Sequence, residues 1–437
     1  MRSTVLFLGP VPNQLIRDKL NNMKITMRPS SWILALLFSI AALGQSMPTT
    51  KKPEDLGFSS QRLDRLRVQM KADVESGRIP GAVLVVARNG KTAVFDAFGY
   101  QERNSKKPMK NDSIFRIASM SKPITSVAIM ILSEEGKLDI GAPVAQYLPE
   151  FRAAKVGVEK VAPKRPMTVQ DLLRHTSGLT YGIFGNSPVD DLYKKSGMFA
   201  SKSLAAMVNT IANIPLAHQP GEVWEYSVST DVLGRIVEVV SGMDLDRFVA
   251  ERITRPLRMA DTGFYLNASQ ASRLALPDSA MTMPNADPTV KPDLLSGGGG
   301  MLSTAGDYAR FCQMLLNGGE LEGVRILSPK TVALMTSDQL PPMTERHSPV
   351  AVSLNAFGPT PEMGTSFGLG FAVRTAAGRN PVPGSLGDYS WAGITGTYFW
   401  VDPKEKLVTV LMVQLPQGKN VPYWRQTRTM VYQTLIN

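Results

Sequence analysis

The stretch Ser119-Met120-Ser121-Lys122 is followed by a largely apolar run at residues 124–132. The length and composition of this run predict a buried helix. Pro123 fits the first helical turn, because the backbone N–H that proline lacks has no intrahelical partner there. Three residues of helix rotate a side chain through about 300°, so Ser119 and Lys122 are predicted to share one face.

This pair of side chains has the arrangement that a serine nucleophile needs. A serine hydroxyl is a weak nucleophile at neutral pH, and an adjacent amine can take its proton when burial or neighbouring cations keep that amine partly neutral. A helix N-terminus beneath Ser119 would stabilise the anion formed there. The alternative is chance, because a chain with many serines and lysines contains such spacings without any function.

The composition predicts a globular protein without a nucleic-acid partner. The chain has 437 residues, 43% of them hydrophobic and 19% charged, which is enough for a substantial core in one large domain or two. Its formal charge of +11 is spread along the chain without a long basic run, which argues against nucleic-acid binding. With three histidines and one cysteine no familiar zinc-binding spacing can be assembled, so we expect no metal and no cofactor. Cys312 has helical core spacing with Tyr308 and Leu315, and we predict a buried thiol.

The N-terminal residues have the pattern of a secretory signal. An apolar run at 32–43 follows Lys24 and Arg28 and ends in small residues, and about a dozen residues are too few to span a bilayer. We therefore predict a signal peptide over residues 1–44, over-extended at its start because Met23 would begin a signal of ordinary length. The mature chain is predicted to be exported, periplasmic or secreted, with no stable membrane span.

Strand signals at both ends of the remaining chain, with helical signals between them, predict a mixed α/β (α+β) protein. Asn89-Gly90 separates two strand-like runs and is a strong hairpin signal, so the sheet is predicted to be antiparallel. The predicted strands are 81–88, 92–98, 367–373, 396–401 and 407–415. The predicted helices are 59–76, 168–173, 204–212, 423–435 and 228–253, the last interrupted near Gly242.

These signals divide the chain into regions. We predict a linker at 45–55 and a single domain at 56–437, in which 56–155 and 278–437 carry the sheet and 156–277 are all-helical. The four glycines at 297–300 are interpreted as a tight turn, because the Gly-Lys-Ser/Thr of a phosphate loop does not follow them. This turn is expected to lead into a helix capped at Ser303 or Thr304, with Asp307 completing a capping box.

Two later stretches offer what a serine–lysine pair still needs, a proton relay and an oxyanion site. Tyr226 follows a turn at the start of the long predicted helix, where its phenol can share a proton near Lys122. The stretch Trp391-Ala392-Gly393-Ile394 precedes a predicted strand. Its small residues would let a substrate approach the backbone closely and leave an N–H exposed to an oxyanion.

Together these motifs resemble those of the penicillin-recognising serine hydrolases, in particular the class C β-lactamase-like group, which includes esterases, D-stereospecific peptidases and transesterases. The resemblance covers roughly residue 56 to the C-terminus. Residues 115–122 (FRIASMSK) match the first motif and 172–179 (LLRHTSGL) a framework signature, while 220–227 contain the second motif and 391–393 occupy the place of the third. Joint occurrence in this order is far more specific than any single motif.

The resemblance implies a β-lactamase/transpeptidase-like fold, with an antiparallel sheet flanked by helices and an active site in the cleft beside the helical region. It implies that Ser119 attacks the substrate carbonyl while Lys122 and Tyr226 share the general-base and general-acid work. The oxyanion hole would be formed by the backbone N–H groups of Ser119 and Ile394. The residues expected to contact the substrate are Trp391, Ala392, Gly393 and Val228. His175 lies in the framework signature and is interpreted as a structural, hydrogen-bonded histidine.

Two positions depart from the pattern of this group. The second motif usually reads Tyr-x-Asn and here ends in Val228, and the third usually begins with Lys or His and here begins with Trp391. The usual polar residues bind the amide and carboxylate of a β-lactam or peptidoglycan substrate. We therefore predict a carboxylic ester hydrolase that forms an acyl-enzyme on Ser119.

Two alternatives remain open. Among enzymes, the alternative is a β-lactamase, a D,D-carboxypeptidase or a D-aminopeptidase. Outside enzymes, it is an envelope protein that binds or senses a ligand without catalysis. The intact Ser119, Lys122 and Tyr226 argue against the second, because a binding protein does not need all three. The expected partner is a small-molecule ester or amide, and the sequence does not predict an oligomeric state.

Overall fold

The computed structural model describes residues 47–277, 287–415 and 419–437. The predicted signal peptide lies outside these ranges, so its assignment stays a prediction. Within them, no helix is both long and apolar enough to cross a membrane.

An eight-stranded antiparallel sheet forms the centre of the fold, which confirms the predicted sheet type. The described residues contain twelve strands, of which β4 with β5 and β6 with β7 form two small separate sheets. The strands are β1 Gly81–Arg88, β2 Lys91–Glu102, β3 Lys107–Pro108, β4 Ile114–Arg116, β5 Leu302–Thr304, β6 Glu320–Leu321, β7 Val324–Arg325, β8 Thr365–Phe367, β9 Ala372–Arg374, β10 Tyr389–Ala392, β11 Tyr398–Asp402 and β12 Leu407–Val413. The order in the main sheet is β3-β2-β1-β12-β11-β10-β9-β8. Asn89 and Gly90 join β1 to β2 with φ angles of 53° and 74°, which a type I′ hairpin turn requires.

Helices pack on both faces of this sheet. They are α1 Ser60–Glu75, α2 Ser121–Glu134, α3 Val144–Tyr147, α4 Val169–Leu173, α5 Pro188–Lys195, α6 Leu204–Ala212, α7 Ser229–Ser241, α8 Leu245–Val249, α9 Ala268–Ala271, α10 Ala305–Leu316, α11 Pro329–Met335, α12 Pro349–Leu354 and α13 Asn420–Tyr432. Side chains alternate between the two faces along a strand. Leu84 and Val86 of β1 therefore share a core with α1 and α13, whereas Val83 and Val85 share the larger core with α2 and α10.

The region predicted to be helical contains α4 to α9 and none of the twelve strands. Its long helix is interrupted where expected, because Gly242 ends α7 with a φ of 71°. Helix α7 packs against α2. This contact brings the segment before α7, which carries Tyr226, beside the segment before α2, which carries Ser119.

Three local predictions are wrong in detail. The predicted strand 367–373 is two strands, β8 and β9, because the chain turns at Gly370 with a φ of 103°. Strand β10 was not predicted, because it is only four residues long. Thr304 caps α10 as expected, but the Asp307 carboxylate accepts hydrogen bonds from the Asp261 N–H (2.8 Å) and the Thr262 hydroxyl (3.0 Å) instead of completing a capping box. Cys312 is fully buried, as predicted.

Candidate active site

Ser119 lies in a tight turn immediately before α2. The turn is a 3-10 helix, Ala118–Met120, and the α-helix begins at Ser121, two residues later than Ser119. Ala118 has a φ of 44°, a conformation that L-residues rarely adopt and that is concentrated at functional sites. The Ser121 hydroxyl holds this turn by donating to the Ala118 carbonyl at 2.7 Å and accepting from the Met301 N–H at 3.1 Å. The strained turn leaves the Ser119 side chain partly exposed.

The Lys122 ammonium is placed against Ser119. Lys122 is only 1% exposed, and its Nζ donates to Ser119 Oγ at 3.4 Å, Tyr181 Oη at 2.9 Å and the Gly298 carbonyl at 2.6 Å. These three acceptors match the three N–H donors of an ammonium group. The bond to Ser119 is the longest, as is common for catalytic hydrogen bonds without a substrate. The structure thus brings together the serine and lysine that the sequence singled out.

Tyr226 also contacts the lysine, but through its ring. Lys122 Nζ lies 4.6 Å from the centroid of the Tyr226 ring, a cation–π distance. The Tyr226 hydroxyl accepts a hydrogen bond from Trp391 Nε1 at 3.4 Å. No hydrogen bond joins Tyr226 to Lys122 or Ser119 among the described residues, so the predicted proton relay requires the phenol to engage the substrate or its leaving group directly.

Tyr181 is the residue of the site that the sequence analysis missed. It follows the framework signature by two residues, and its hydroxyl receives the hydrogen bond from Lys122 that Tyr226 was expected to share. Desolvation, with the neighbouring Tyr226 and Asp231 adding to it, raises the pKa of Tyr181 well above its usual value. Tyr181 therefore stays protonated and orients the ammonium. The contact between Tyr181 and Lys122 arises only in the fold, although the position of this tyrosine so soon after the framework signature was a usable signal.

The glycine run at 297–300 forms the floor of the site. The Gly298 N–H donates to the Asp231 carboxylate at 3.1 Å, while the Gly298 carbonyl accepts from Lys122. A Cβ atom on Gly298 would lie 2.5 Å from Asp231 Oδ2, and one on Gly297 would lie 2.9 Å from the Thr230 carbonyl. Only glycine permits this approach to α7. The tight turn was predicted, but its contact with the lysine was not.

The loop after β10 lies against the strand that precedes the nucleophile. A Cβ atom on Gly393 would lie 2.5 Å from the Ile117 carbonyl, and the Thr395 hydroxyl donates to the Arg116 carbonyl at 2.9 Å. Gly393 is therefore required for packing between protein segments, where we had expected close approach by a substrate. Ile394 is 40% exposed, and its N–H donates to no acceptor among the described residues. This placement is compatible with the predicted oxyanion hole.

The predicted substrate-contacting residues differ in accessibility. Val228 is completely buried at the start of α7, so it offers no surface to a substrate in this structure, contrary to its prediction. Trp391 is only 5% exposed, because it packs on Tyr226 and Phe367. Ala392 is partly exposed and Gly393 is buried. Ala392 packs against the core shared with α1 and α13, on the opposite face of the sheet from Trp391, so its side chain points away from α2.

The buried His175 ring packs against the Tyr226 ring. His175 is 1% exposed, its ring centroid lies 4.9 Å from that of Tyr226, and its Nδ1 lies 3.3 Å from the Ser227 hydroxyl. Burial, and then the charge of Lys122, lower the pKa of His175 well below its usual value, so the ring is neutral. These contacts support its interpretation as a structural histidine. The described part of the chain holds no group of three His, Cys, Asp or Glu residues that could bind a metal ion.

The two tyrosines can be separated by mutation. We expect Tyr226→Phe to slow acylation by about a hundredfold or more, the range of a lost general acid–base group. Tyr181→Phe removes one hydrogen bond to Lys122 and should slow it only about five- to tenfold. Single-turnover acylation rates with p-nitrophenyl butyrate measure both, with Tyr265→Phe as an exposed control. A larger loss in Tyr181→Phe than in Tyr226→Phe would indicate that Tyr181 is the proton relay.

Known proteins match this fold and this chemistry. The family model described as "Beta-lactamase" matches residues 66–429. An uncharacterized Mycobacterium tuberculosis protein is 36% identical over 374 residues, which cover 80% of this chain and 90% of the relative. Esterase EstB of Burkholderia gladioli is 30% identical over 419 residues, 89% of this chain and 98% of the esterase. The solved structure of EstCE1, described as a hydrolase with promiscuous acyltransferase activity, superposes with a TM-score of 0.71 at 28% identity, covering 85% of this chain and 98% of that one.

Proposed function

The chain belongs to the beta-lactamase family and is a serine hydrolase of that family, and on this premise we propose that it hydrolyses carboxylic esters through an acyl-enzyme on Ser119. In this reaction Lys122, as the neutral amine, accepts the Ser119 proton while Ser119 Oγ attacks the ester carbonyl. Tyr226 delivers a proton to the departing alkoxide and regains one from Lys122; water then attacks the acyl-enzyme, one of its protons returns to Ser119 Oγ, and the acid is released. The predicted export rests on residues 1–44 alone and remains part of this proposal.

The observation that carries the proposal is the environment of the Lys122 side-chain nitrogen. Its three acceptors, Ser119, Tyr181 and Gly298, fix the amine at the nucleophile, and the rings of Tyr181 and Tyr226 lie over it at 5.3 and 4.6 Å. Such a site keeps water away from the amine on several sides. A protein that only binds a ligand gains nothing from this arrangement.

The mouth of the site favours an apolar substrate. Phe184 and Phe199 pack on the Tyr181 ring, with centroids 6.0 and 6.1 Å away. Phe199, and Ile183 next to Phe184 in the sequence, are 48% and 59% exposed. Large apolar side chains gain free energy when they are buried. An acyl or alcohol group of low polarity would cover them. This is the substrate class that we assign.

Two motif positions, Val228 and Trp391, lack the polar groups that a β-lactam would need. Val228 is a buried valine, and the side chain of Trp391 is committed to Tyr226, so neither position offers the amide or cationic group that the related lactam enzymes place there. A β-lactam would leave polar groups unpaired at about 1–3 kcal/mol for each buried group. An ester loses less, because its alkoxide departs more readily than an amine.

The substrate class is tested by comparing two chromogenic substrates. We expect kcat/KM for p-nitrophenyl butyrate to exceed that for a chromogenic cephalosporin by about thirtyfold or more, from two unpaired groups at about 1–3 kcal/mol each. The Ser119→Ala variant supplies the uncatalysed background for both. A cephalosporin value equal to or above the ester value would favour the β-lactamase and D,D-peptidase alternative.

A further inference from the structure

A second cavity, of about 470 Å³, lies beside the segment that carries Tyr226. Its lining includes Asp190, Glu225, Glu345, Ser348 and two histidines, and it includes neither Ser119, Lys122, Tyr181 nor Tyr226. The cavity is therefore distinct from the site described above. We propose that it binds the protonated amino group of a small organic amine, held between the Glu225 carboxylate and the Ser348 hydroxyl.

Glu225 is the group that needs a partner. The residue is 5% exposed, and the donor that lies near its carboxylate is the uncharged hydroxyl of Ser348, which makes no hydrogen bond of ordinary geometry among the described residues. Its nearest basic group, His218 Nε2, lies 3.9 Å away, beyond hydrogen-bond range. Burial lowers the pKa of His218, so this ring does not neutralise Glu225 at neutral pH. A buried carboxylate without a cation is costly and rare.

Ser348 provides a second sign of a missing ligand. Its hydroxyl lies near the Glu225 carboxylate, but its buried oxygen has no partner within hydrogen-bond geometry, although buried hydroxyl groups nearly always have one. Ser348 stands at the N-cap of α12, yet its side chain makes no capping hydrogen bond. Glu225 and Ser348 thus lie close together in the lining of one cavity, and neither makes a well-formed hydrogen bond among the described residues.

The other acidic groups of the cavity are already bonded. Asp190 accepts from the Thr180 hydroxyl at 2.9 Å and from the N–H and hydroxyl of Ser187 at 2.9 and 2.8 Å. Glu345 accepts from His347 Nδ1 at 2.8 Å. These contacts leave Glu225 as the free carboxylate, surrounded by negative groups that would attract a cation.

A primary ammonium group matches these two partners. It has three N–H donors and no acceptor, so it can donate to Glu225 and to Ser348 at once while its charge balances the carboxylate. An anion would be repelled by the three carboxylates of the lining. A neutral alcohol could bond to the same atoms but would leave the charge unbalanced, and this difference separates the two ligands experimentally.

The binding should depend on pH in a defined direction. Burial, with Asp190 adding to it and the nearby Ser348 hydroxyl opposing it, raises the pKa of Glu225 to about 7. The other groups that face it are Asp190, His218, Glu345 and His347. Since an alkylammonium stays charged throughout, its affinity should rise about tenfold between pH values of about 6 and 8, as Glu225 ionises.

Isothermal titration of the full chain with n-butylammonium chloride tests this proposal. We expect saturable binding at a pH of about 8 that Glu225→Gln weakens at least about tenfold, because the variant keeps the shape of the side chain and removes its charge. Ser348→Ala should weaken it about threefold, as one hydrogen bond is lost. Glu159→Gln, which changes an exposed carboxylate elsewhere, should bind as the wild type does.

Several results would overturn the proposal. The first is that the wild-type chain shows no saturable binding of butylammonium. The second is that Glu225→Gln binds as tightly as wild type, or that Glu159→Gln loses as much affinity as Glu225→Gln. The third is that 1-butanol binds as tightly as butylammonium. If Glu225→Gln fails to fold, as judged by circular dichroism, Ser348→Ala and the pH series decide. None of these readouts depends on ester turnover, so the amine site and the proposed esterase activity can fail separately.

Discussion

Replacing Ser119 with alanine is expected to abolish ester turnover and leave the fold intact. The hydroxyl oxygen is the atom that forms the acyl bond, and without it only binding and the oxyanion site remain. We expect kcat/KM for p-nitrophenyl butyrate to fall by at least about ten-thousand-fold, as when a member of a catalytic unit is removed. The one hydrogen bond of the Ser119 side chain within the described part of the chain, from Lys122 at 3.4 Å, is long, so little stability is lost.

The control for this variant is the alanine replacement of a serine with similar exposure away from the site. Ser60, at the start of α1, is suitable, since its hydrogen-bond partner is the exposed carboxylate of Glu54, where the loss of one bond costs little stability. Thermal unfolding should give nearly the same Tm for wild type, Ser119→Ala and Ser60→Ala. Wild-type-like activity in a purified Ser119→Ala sample would contradict the mechanism.

Replacing Lys122 with methionine should lose nearly as much activity. Methionine has a similar length but cannot accept the Ser119 proton, and it leaves the Tyr181 hydroxyl and the Gly298 carbonyl without their donor. We expect kcat/KM to fall by about a thousandfold or more, since the general base and the orientation of the site are lost together. Stopped-flow acylation should show the loss in the first turnover.

Two further variants make this result specific. Lys330→Met changes an exposed lysine of α11 and should be fully active. The double variant Ser119→Ala/Lys122→Met should be about as inactive as Ser119→Ala alone, because residues that act as one unit are non-additive. A double variant far worse than both single variants would show that the two side chains act independently.

The local signals of the sequence predicted the architecture well. The β1–β2 hairpin follows from Asn89-Gly90, and the break after α7 follows from Gly242, because positive φ angles at these positions are local properties of the chain. The short strands β8 to β10 were missed or merged. Their pairing in the sheet depends on partners elsewhere in the sequence, which periodicity within a few residues does not reveal.

The site was only partly predictable for the same reason. Ser119 and Lys122 are three residues apart in a 3-10 turn that continues into α2, so their contact is a local property of the chain. Tyr181 and Gly298 reach Lys122 from 59 and 176 residues away, through the packing of α2 with α7 and with the glycine turn. Val228 was placed on the cleft wall by analogy with a motif, but its apolar side chain turns into the core.

The most direct measurement is the intact mass of the protein after exposure to a fluorophosphonate, followed by peptide mapping. A fluorophosphonate phosphonylates an activated serine and releases fluoride, so it reports the nucleophile without assuming a substrate. We expect a single adduct on the peptide that contains Ser119, and no adduct on Ser119→Ala. An unlabelled wild-type protein that still hydrolyses the ester, or a label on another residue, would contradict the assignment of Ser119 as the nucleophile.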